Sequence, residues 1–371
     1  MVAPTAMARP RPYRFYASEI SYFSGKVRPA LRMKRVPFDE LLPTRTAYRE
    51  VIRARTGLAM IPVVVTPDDE TWQDSSDILD ALDHRFPDPP LHPRTPVQRL
   101  AGLLIELYTD EFLMLPGLYW RWFFPESIAQ ARADFASSTG DAPSALRFAD
   151  AVKGFAPMIG VTADTAPAIE AHTRELLAAL EAHLAAHPYV LGASPSLGDC
   201  ALMGPVYGHF YNDAVPALLL RETAPLTCHW IERMNHPDVE TFGPWLAADA
   251  LAPTFHALLA LAARDTVPLV LDTVRAFEAW ADATPTVEGE LPRAVGMHRG
   301  HLRGVAVDRL TLSYTLWMVQ RVLDAYRALD AAGQNAVAAA LAGTGWEPLL
   351  DFTPRHRVER RPFKLFLATP K

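Results

Sequence analysis

Cysteine is the scarcest functional residue in the chain. Cys200 and Cys228 are the only two in 371 residues, too few for a disulfide framework and without the CxxC spacing of a metal or redox pair. Each reads as a small buried hydrophobe. Lysine is nearly as rare, confined to Lys26, Lys34, Lys153, Lys364 and Lys371, and the formal net charge is -6. Nucleic-acid binding calls for a basic domain, so that class of partner is excluded. No stretch of ~18 residues stays apolar, as a membrane span requires; the longest candidate, His256 to Leu271, is broken by Arg264 and Asp265. Met1 to Pro12 carries arginines without an apolar segment, so no secretory leader and a cytoplasmic location are expected. His298 and His301 lack a neighbouring acid or cysteine and read as a solvated loop, so no metal site is expected.

Half of the residues are hydrophobic and the charge per residue is small, which argues for a folded core and against disorder. The 33 prolines lie between periodic segments and read as helix punctuation. At ~150 residues per domain the length suggests two domains and a remainder. Arg14 to Ala17, Pro37 to Leu42 and Met60 to Val65 are strand-like, the last with Pro62 near its start, where a missing ladder donor is tolerated. Thr71 to Gln73 follows a tight turn. Ser24 to Lys34, Ala47 to Arg55 and Ser75 to Phe86 have helical spacing. The order is βαβαββα, a small α/β domain. From Thr95 onward helices dominate: Val97 to Leu115, Ala166 to Ala186, Leu197 to Tyr211 and Ala224 to Met234, with a loop at Ser137 to Asp141. Beyond Trp245 the periodicity continues at Thr254 to Ala263, Val267 to Ala281, Arg303 to Leu329 and Asn335 to Leu341.

Three local features of the first domain belong together. Ser21 to Arg28 joins the first strand to the first helix, where free N–H groups favour an anion. Ile61-Pro62 is a candidate cis peptide that would offer main-chain groups to an extended ligand. Asp74 and Ser75 open the third helix, as caps or as holders of a carboxylate. Further on, Ser196-Leu197-Gly198-Asp199 has the pattern of a capping box, a folding element.

In this order, ahead of an all-helical region, these pieces resemble the glutathione transferase superfamily over Tyr13 to Trp245. The resemblance implies a thioredoxin-like domain over 13–90, an all-helical domain over 95–250 and, unusually, a mostly helical extension over 251–371, after a flexible start at 1–12. It implies that Ser21 donates to the glutathione sulfur, with Ser24 and Tyr22 as alternates; Tyr13 and Tyr16 also keep a tyrosine mechanism open. Ile61 and Pro62 would pair with the cysteinyl part of glutathione, Ser75 with the γ-glutamyl carboxylate, and Asp74 with its ammonium. Glutathione is then the co-substrate, a small hydrophobic electrophile the acceptor, and a homodimer the expected assembly. Serine at 21 lacks the thiol that mixed-disulfide chemistry needs, which favours conjugation, addition–elimination or isomerisation. The competing reading is a non-catalytic glutathione-binding or interaction module that keeps the fold.

The chain departs from the family pattern at Tyr22, at Pro29 inside the first helix, at Asp74, and before Ile61, where a lysine is missing and Arg53 or Arg55 is the candidate substitute. The aromatic run Tyr108, Phe112, Tyr119, Trp120, Trp122, Phe123 and Phe124 reads mainly as core, with some members available to a co-substrate pocket. Asp110-Glu111 reads as ordinary surface. The basic tail, Arg357 to Arg361, is expected to pair with the protein's own acidic surface. The extension itself is expected to pack on the helical domain and to narrow or cover the pocket beside Ser21.

Overall fold

The computed structural model describes residues 11–139, 141–284 and 289–368. Of the flexible start expected at 1–12, residues 1–10 lie outside the described residues. Strand β1 (Tyr13–Tyr16) leads through a short loop into helix α1 (Tyr22–Met33), then β2 (Phe38–Leu41). An interrupted helical segment over 45–56 precedes β3 (Val63–Val65) and β4 (Thr71–Gln73), and α2 (Ser75–Arg85) closes the unit. This is the βαβαββα order read from the sequence. The four-stranded sheet has the order β2-β1-β3-β4. β1 and β2 are parallel; β3 runs antiparallel to both β1 and β4. One sheet face buries Phe15 and Val64 against Val27, Leu31, Ile78 and Leu79. The other buries Tyr16, Val63 and Val65 with Ile52.

The helical part begins with α3 (Pro96–Leu107), a π-helical stretch at Tyr108–Phe112, and α4 (Met114–Trp122). Helices also cover Pro125–Thr139 and Ala142–Phe155, where the sequence suggests only the loop at 137–141. Next come α5 (Ala166–Leu184) and α6 (Leu197–Pro205), which runs on as a π-helical stretch at Val206–Tyr211. The capping box at the start of α6 is present: the Ser196 N–H and hydroxyl both donate to Asp199 at 2.9 Å.

Beyond Trp245 the chain is folded and includes strands that the sequence reading missed. A single helix, α7 (Pro253–Ala283), replaces the two expected there and carries Pro268 inside it. Strands β5 (Ala294–Leu302) and β6 (Val305–Leu312) form a hairpin, so Arg303 to Leu312 is turn and strand. Helix α8 (Ser313–Arg327) follows. The tail adds a second hairpin, β7 (Val358–Arg361) with β8 (Lys364–Leu367). His298 therefore lies in a strand, its Nδ1 2.9 Å from the Thr311 hydroxyl, and not in a solvated loop. Burial alternates with period 2 towards the turn of this hairpin; its buried positions include Gly300, Leu302, Val307, Arg309 and Thr311.

A buried polar seam joins the α/β part to the helices. Lys26 of α1 reaches Asp110 at 2.6 Å, Glu106 at 2.9 Å and the Ser76 hydroxyl at 3.0 Å. Asp110 and Glu111, read as surface, are both buried, and Glu111 accepts from the Thr315 hydroxyl at 2.6 Å. Two consecutive acids on different helix faces are both inside, one meeting Lys26 of α1 and the other Thr315 of α8.

Candidate functional site

Sheet register explains why the sequence-distant candidates converge. Tyr16 pairs with Val63, and Val63 pairs with Gln73. These three residues form one row at one end of the sheet. The loop to Ser21 leaves that row after Tyr16, Ile61-Pro62 enters it before Val63, and Asp74-Ser75 leaves it after Gln73. Two helix N-termini, those of α1 and α2, therefore open at the same sheet end, where free N–H groups favour anions.

Ser21 is the N-cap of α1, and its Oγ accepts the Ser24 N–H at 3.3 Å. An accepting Oγ leaves the hydroxyl proton free to donate elsewhere. No acidic residue occupies the first turn of α1, so the positive end of the helix is not cancelled. Arg121, buried in α4, holds the loop before Ser21 and the chain opposite it. It donates to the Ile20 carbonyl at 2.9 Å and the Gly208 carbonyl at 2.6 Å, and both oxygens of Asp213 face its Nε at 2.9 Å. Gly208 permits the close approach, since a Cβ there would stand 3.4 Å from the Ser21 carbonyl oxygen. Sequence reading missed Arg121; nothing local marks an arginine whose partners lie about ninety residues away, in the loop before Ser21 and at 208–213.

The alternates to Ser21 are buried, where Ser21 itself is only half-buried. Ser24 is fully buried, with its Oγ accepting the Ser18 N–H at 3.4 Å. The Tyr22 hydroxyl donates to the Thr109 carbonyl at 2.6 Å, and burial pushes its pKa well above the ordinary value. Tyr13 meets Trp72 at a tilt and Phe86 edge-on, and Tyr16 packs with Ile52 and Val63. Arg55 is tied to Asp69 and to the Thr71 hydroxyl.

Ile61-Pro62 is a cis peptide bond, and Ile61 is half-buried beside Pro62. Asp74 is the N-cap of α2 at φ 79°, ψ 131°, and its Oδ1 accepts the Ser76 N–H at 3.0 Å. A positive φ on a non-glycine residue costs energy and is held only when the surroundings fix it. Ser75 is buried at the first position of α2.

Asp74 has two further partners, both from the extension. The Tyr314 hydroxyl of α8 donates to its Oδ2 at 2.7 Å, and Arg360 of β7 lies 3.1 Å from the same oxygen. Arg360 also meets Asp77 at 3.0 Å, where burial pushes the acid up to about 6 in spite of the guanidinium. The basic tail thus pairs with acidic groups of the protein, as expected, and the group it meets is the candidate site. Arg293, just before β5, lies over Met60, its Nη1 3.8 Å from the sulfur. Of the aromatic run, Tyr108, Phe112, Tyr119, Trp120 and Trp122 are core; Phe123 is exposed and Phe124 partly so. Among the described residues no group of three acid, histidine or cysteine side chains is placed to hold a metal ion, and no helix is long and apolar enough to cross a membrane.

Comparison with known proteins bears on the same two regions. The model of the glutathione S-transferase N-terminal domain matches residues 15–90, and that of the C-terminal domain matches 163–225. No curated protein sequence matches the chain. Among solved structures, a glutathione S-transferase of Methylobacterium radiotolerans in complex with glutathione sulfonate is 21% identical, with a TM-score of 0.39, covering 64% of this chain and 97% of that one. A beta-etherase of Sphingobium sp. strain SYK-6 is 17% identical, with a TM-score of 0.46, covering 62% and 98%. A glutathione transferase of Phanerochaete chrysosporium is 14% identical, with a TM-score of 0.47, covering 62% and 98%. In chain order, then, residues 15–90 and 163–225 match the N- and C-terminal domains of the glutathione transferase superfamily, over the α/β part and within the helical part just described.

Proposed function

We propose that the protein activates glutathione as its co-substrate through the Ser21 hydroxyl and transfers the thiolate to a small hydrophobic electrophile. The observation that carries this reading is the state of Ser21. Its Oγ already accepts a main-chain N–H, so its proton is available to a sulfur anion at the positive end of α1. A donor and a helix terminus both favour the thiolate over the thiol, lowering a pKa that is ~8.5 for a free thiol. The thiolate is the attacking species, and a soft electrophilic carbon is the matching acceptor. Ile61 would pair its main chain with the cysteinyl unit, and Ser75 would hold the γ-glutamyl carboxylate at the start of α2, beside an Asp74 carboxylate that Tyr314 and Arg360 take up. Three consecutive parts serve this arrangement: 13–90 for the thiol, 95–250 for the acceptor pocket and 251–371 as a cover. A homodimer is the assembly that goes with the family.

One observation favours a second reading, a glutathione-binding or interaction module without turnover. Asp74 is already satisfied by Tyr314 and Arg360. Steady-state conjugation of glutathione to an activated aryl halide separates the two. The enzyme reading expects saturable turnover above the solution rate; retention on immobilised glutathione without turnover of any of several electrophiles contradicts it.

A further inference from the structure

Asp74 is the group whose role rests on the function proposed above, and the extension has claimed it. Its Oδ1 accepts the Ser76 N–H, and its Oδ2 receives both the Tyr314 hydroxyl and Arg360. All three kinds of nitrogen in the Arg360 guanidinium are engaged: Nη1 with Asp74, Nε with Asp77, and Nη2 with the Gln73 carbonyl and side chain at 3.3 and 3.2 Å. The Arg360 side chain is 10% exposed and that of Asp74 14%. This is a seated cation, held between two carboxylates, where a ligand ammonium would otherwise sit.

The hairpin that carries Arg360 is fixed at both ends. The Val358 N–H donates to Gln320 Oε1 at 2.8 Å, and Gln320 Nε2 donates back to the Val358 carbonyl at 2.9 Å. The Leu291 N–H donates to the Leu365 carbonyl at 2.8 Å. Lys364 pairs with Glu290 and stands close to Gly57. Arg360 is thus presented to Asp74 by structure, and its position does not depend on the pair alone.

We propose that Arg360 and Tyr314 are specificity-determining residues that take the place of the ligand ammonium at Asp74, so that the site reads the carboxylate and the thiol of its substrate and gains nothing from the amino group. A charge already neutralised by a held guanidinium offers a second cation little, while the Ser75 hydroxyl at the start of α2 can still donate to a carboxylate. Specificity is a difference of affinities, and the difference that matters here is between glutathione and its deamino analogue, glutaryl-cysteinyl-glycine, which has hydrogen in place of the amino group.

The test measures binding of both thiols to the full-length protein by calorimetry. The wild-type protein should bind the two within about threefold of one another. Arg360→Ala and Arg360→Gln should free Asp74 and restore a preference for glutathione of about tenfold, equivalent to ~1.4 kcal/mol. Tyr314→Phe removes the other donor without touching the hairpin and should move the preference the same way by a smaller factor. The ratio is internal to each variant, so a general loss of affinity does not mimic it. A wild-type preference of tenfold or more for glutathione overturns the proposal, as does an Arg360 variant that weakens both thiols equally, which would make Arg360 a ligand contact. Failure of every protein to bind either thiol overturns the underlying glutathione reading instead.

Discussion

At the scale of single residues, burial decides which groups can act. Of Ser21, Tyr22 and Ser24, only Ser21 is half-buried; Tyr22 gives its hydroxyl proton to the Thr109 carbonyl, and Ser24, whose Oγ likewise only accepts, is fully buried in the packing of α1. Glu111 shows the same force on a titration. Burial pushes its carboxyl up to about 7, opposed by the Thr315 hydroxyl. In the unfolded chain a glutamate titrates near ~4.3, so between the two values the folded protein holds a proton that the unfolded chain releases. Stability from this group is greatest at low pH and falls as pH rises towards 7. Replacing it by glutamine keeps an acceptor for Thr315 and removes the titration. Glu111→Gln should therefore stabilise the protein by about 2 kcal/mol more near pH 8 than near pH 5 in urea unfolding. An equal effect at both pH values would contradict the assignment.

At the scale of elements, caps and registers organise the site. Asp199 accepts from the Ser196 N–H and hydroxyl, the Val190 N–H and the Trp230 indole, all buried. Asp199→Ala would strand these donors, and urea unfolding should show a loss of about 3 kcal/mol; a loss under ~0.5 kcal/mol would mean that the box does not anchor α6. That box was legible in the sequence, as were the βαβαββα order, the cis-proline candidate and the cap at Asp74, because each is a local pattern of a few residues. The β5–β6 hairpin was not. Its run has Gly296, His298, Gly300 and His301 where apolar alternation would mark a strand, and its inward residues include Arg309, whose guanidinium is buried. Nor was Arg121 or Arg360 legible as part of the site. Their partners are set by tertiary packing, Asp213 in one case and Asp74, 286 residues away in sequence, in the other.

At the scale of the whole molecule, the residues beyond Trp245 are part of the core and part of the site. Phe255, Leu258, Leu259, Val270 and Phe277 of α7 are fully buried, and Asp265 of the same helix joins His172 at 2.6 Å and Arg303 at 2.8 Å. Burying five such side chains contributes about 10 kcal/mol, comparable with the ~5–15 kcal/mol by which a domain is stable. A chain ending at Ala252 should therefore lose its cooperative melting transition and bind hydrophobic dyes; a truncated chain that melts sharply would contradict this. The extension reaches the candidate site at Asp74, through Tyr314 and Arg360, where the expectation was a cover over a pocket beside Ser21; Ser21 is half-buried. The central claim is that Ser21 holds the thiolate. Ultraviolet difference absorbance of bound glutathione near neutral pH tests it most directly. The account predicts a thiolate band in the wild-type protein that is lost in Ser21→Ala while glutathione still binds; an equal band in both proteins, or none in the wild type, would contradict it.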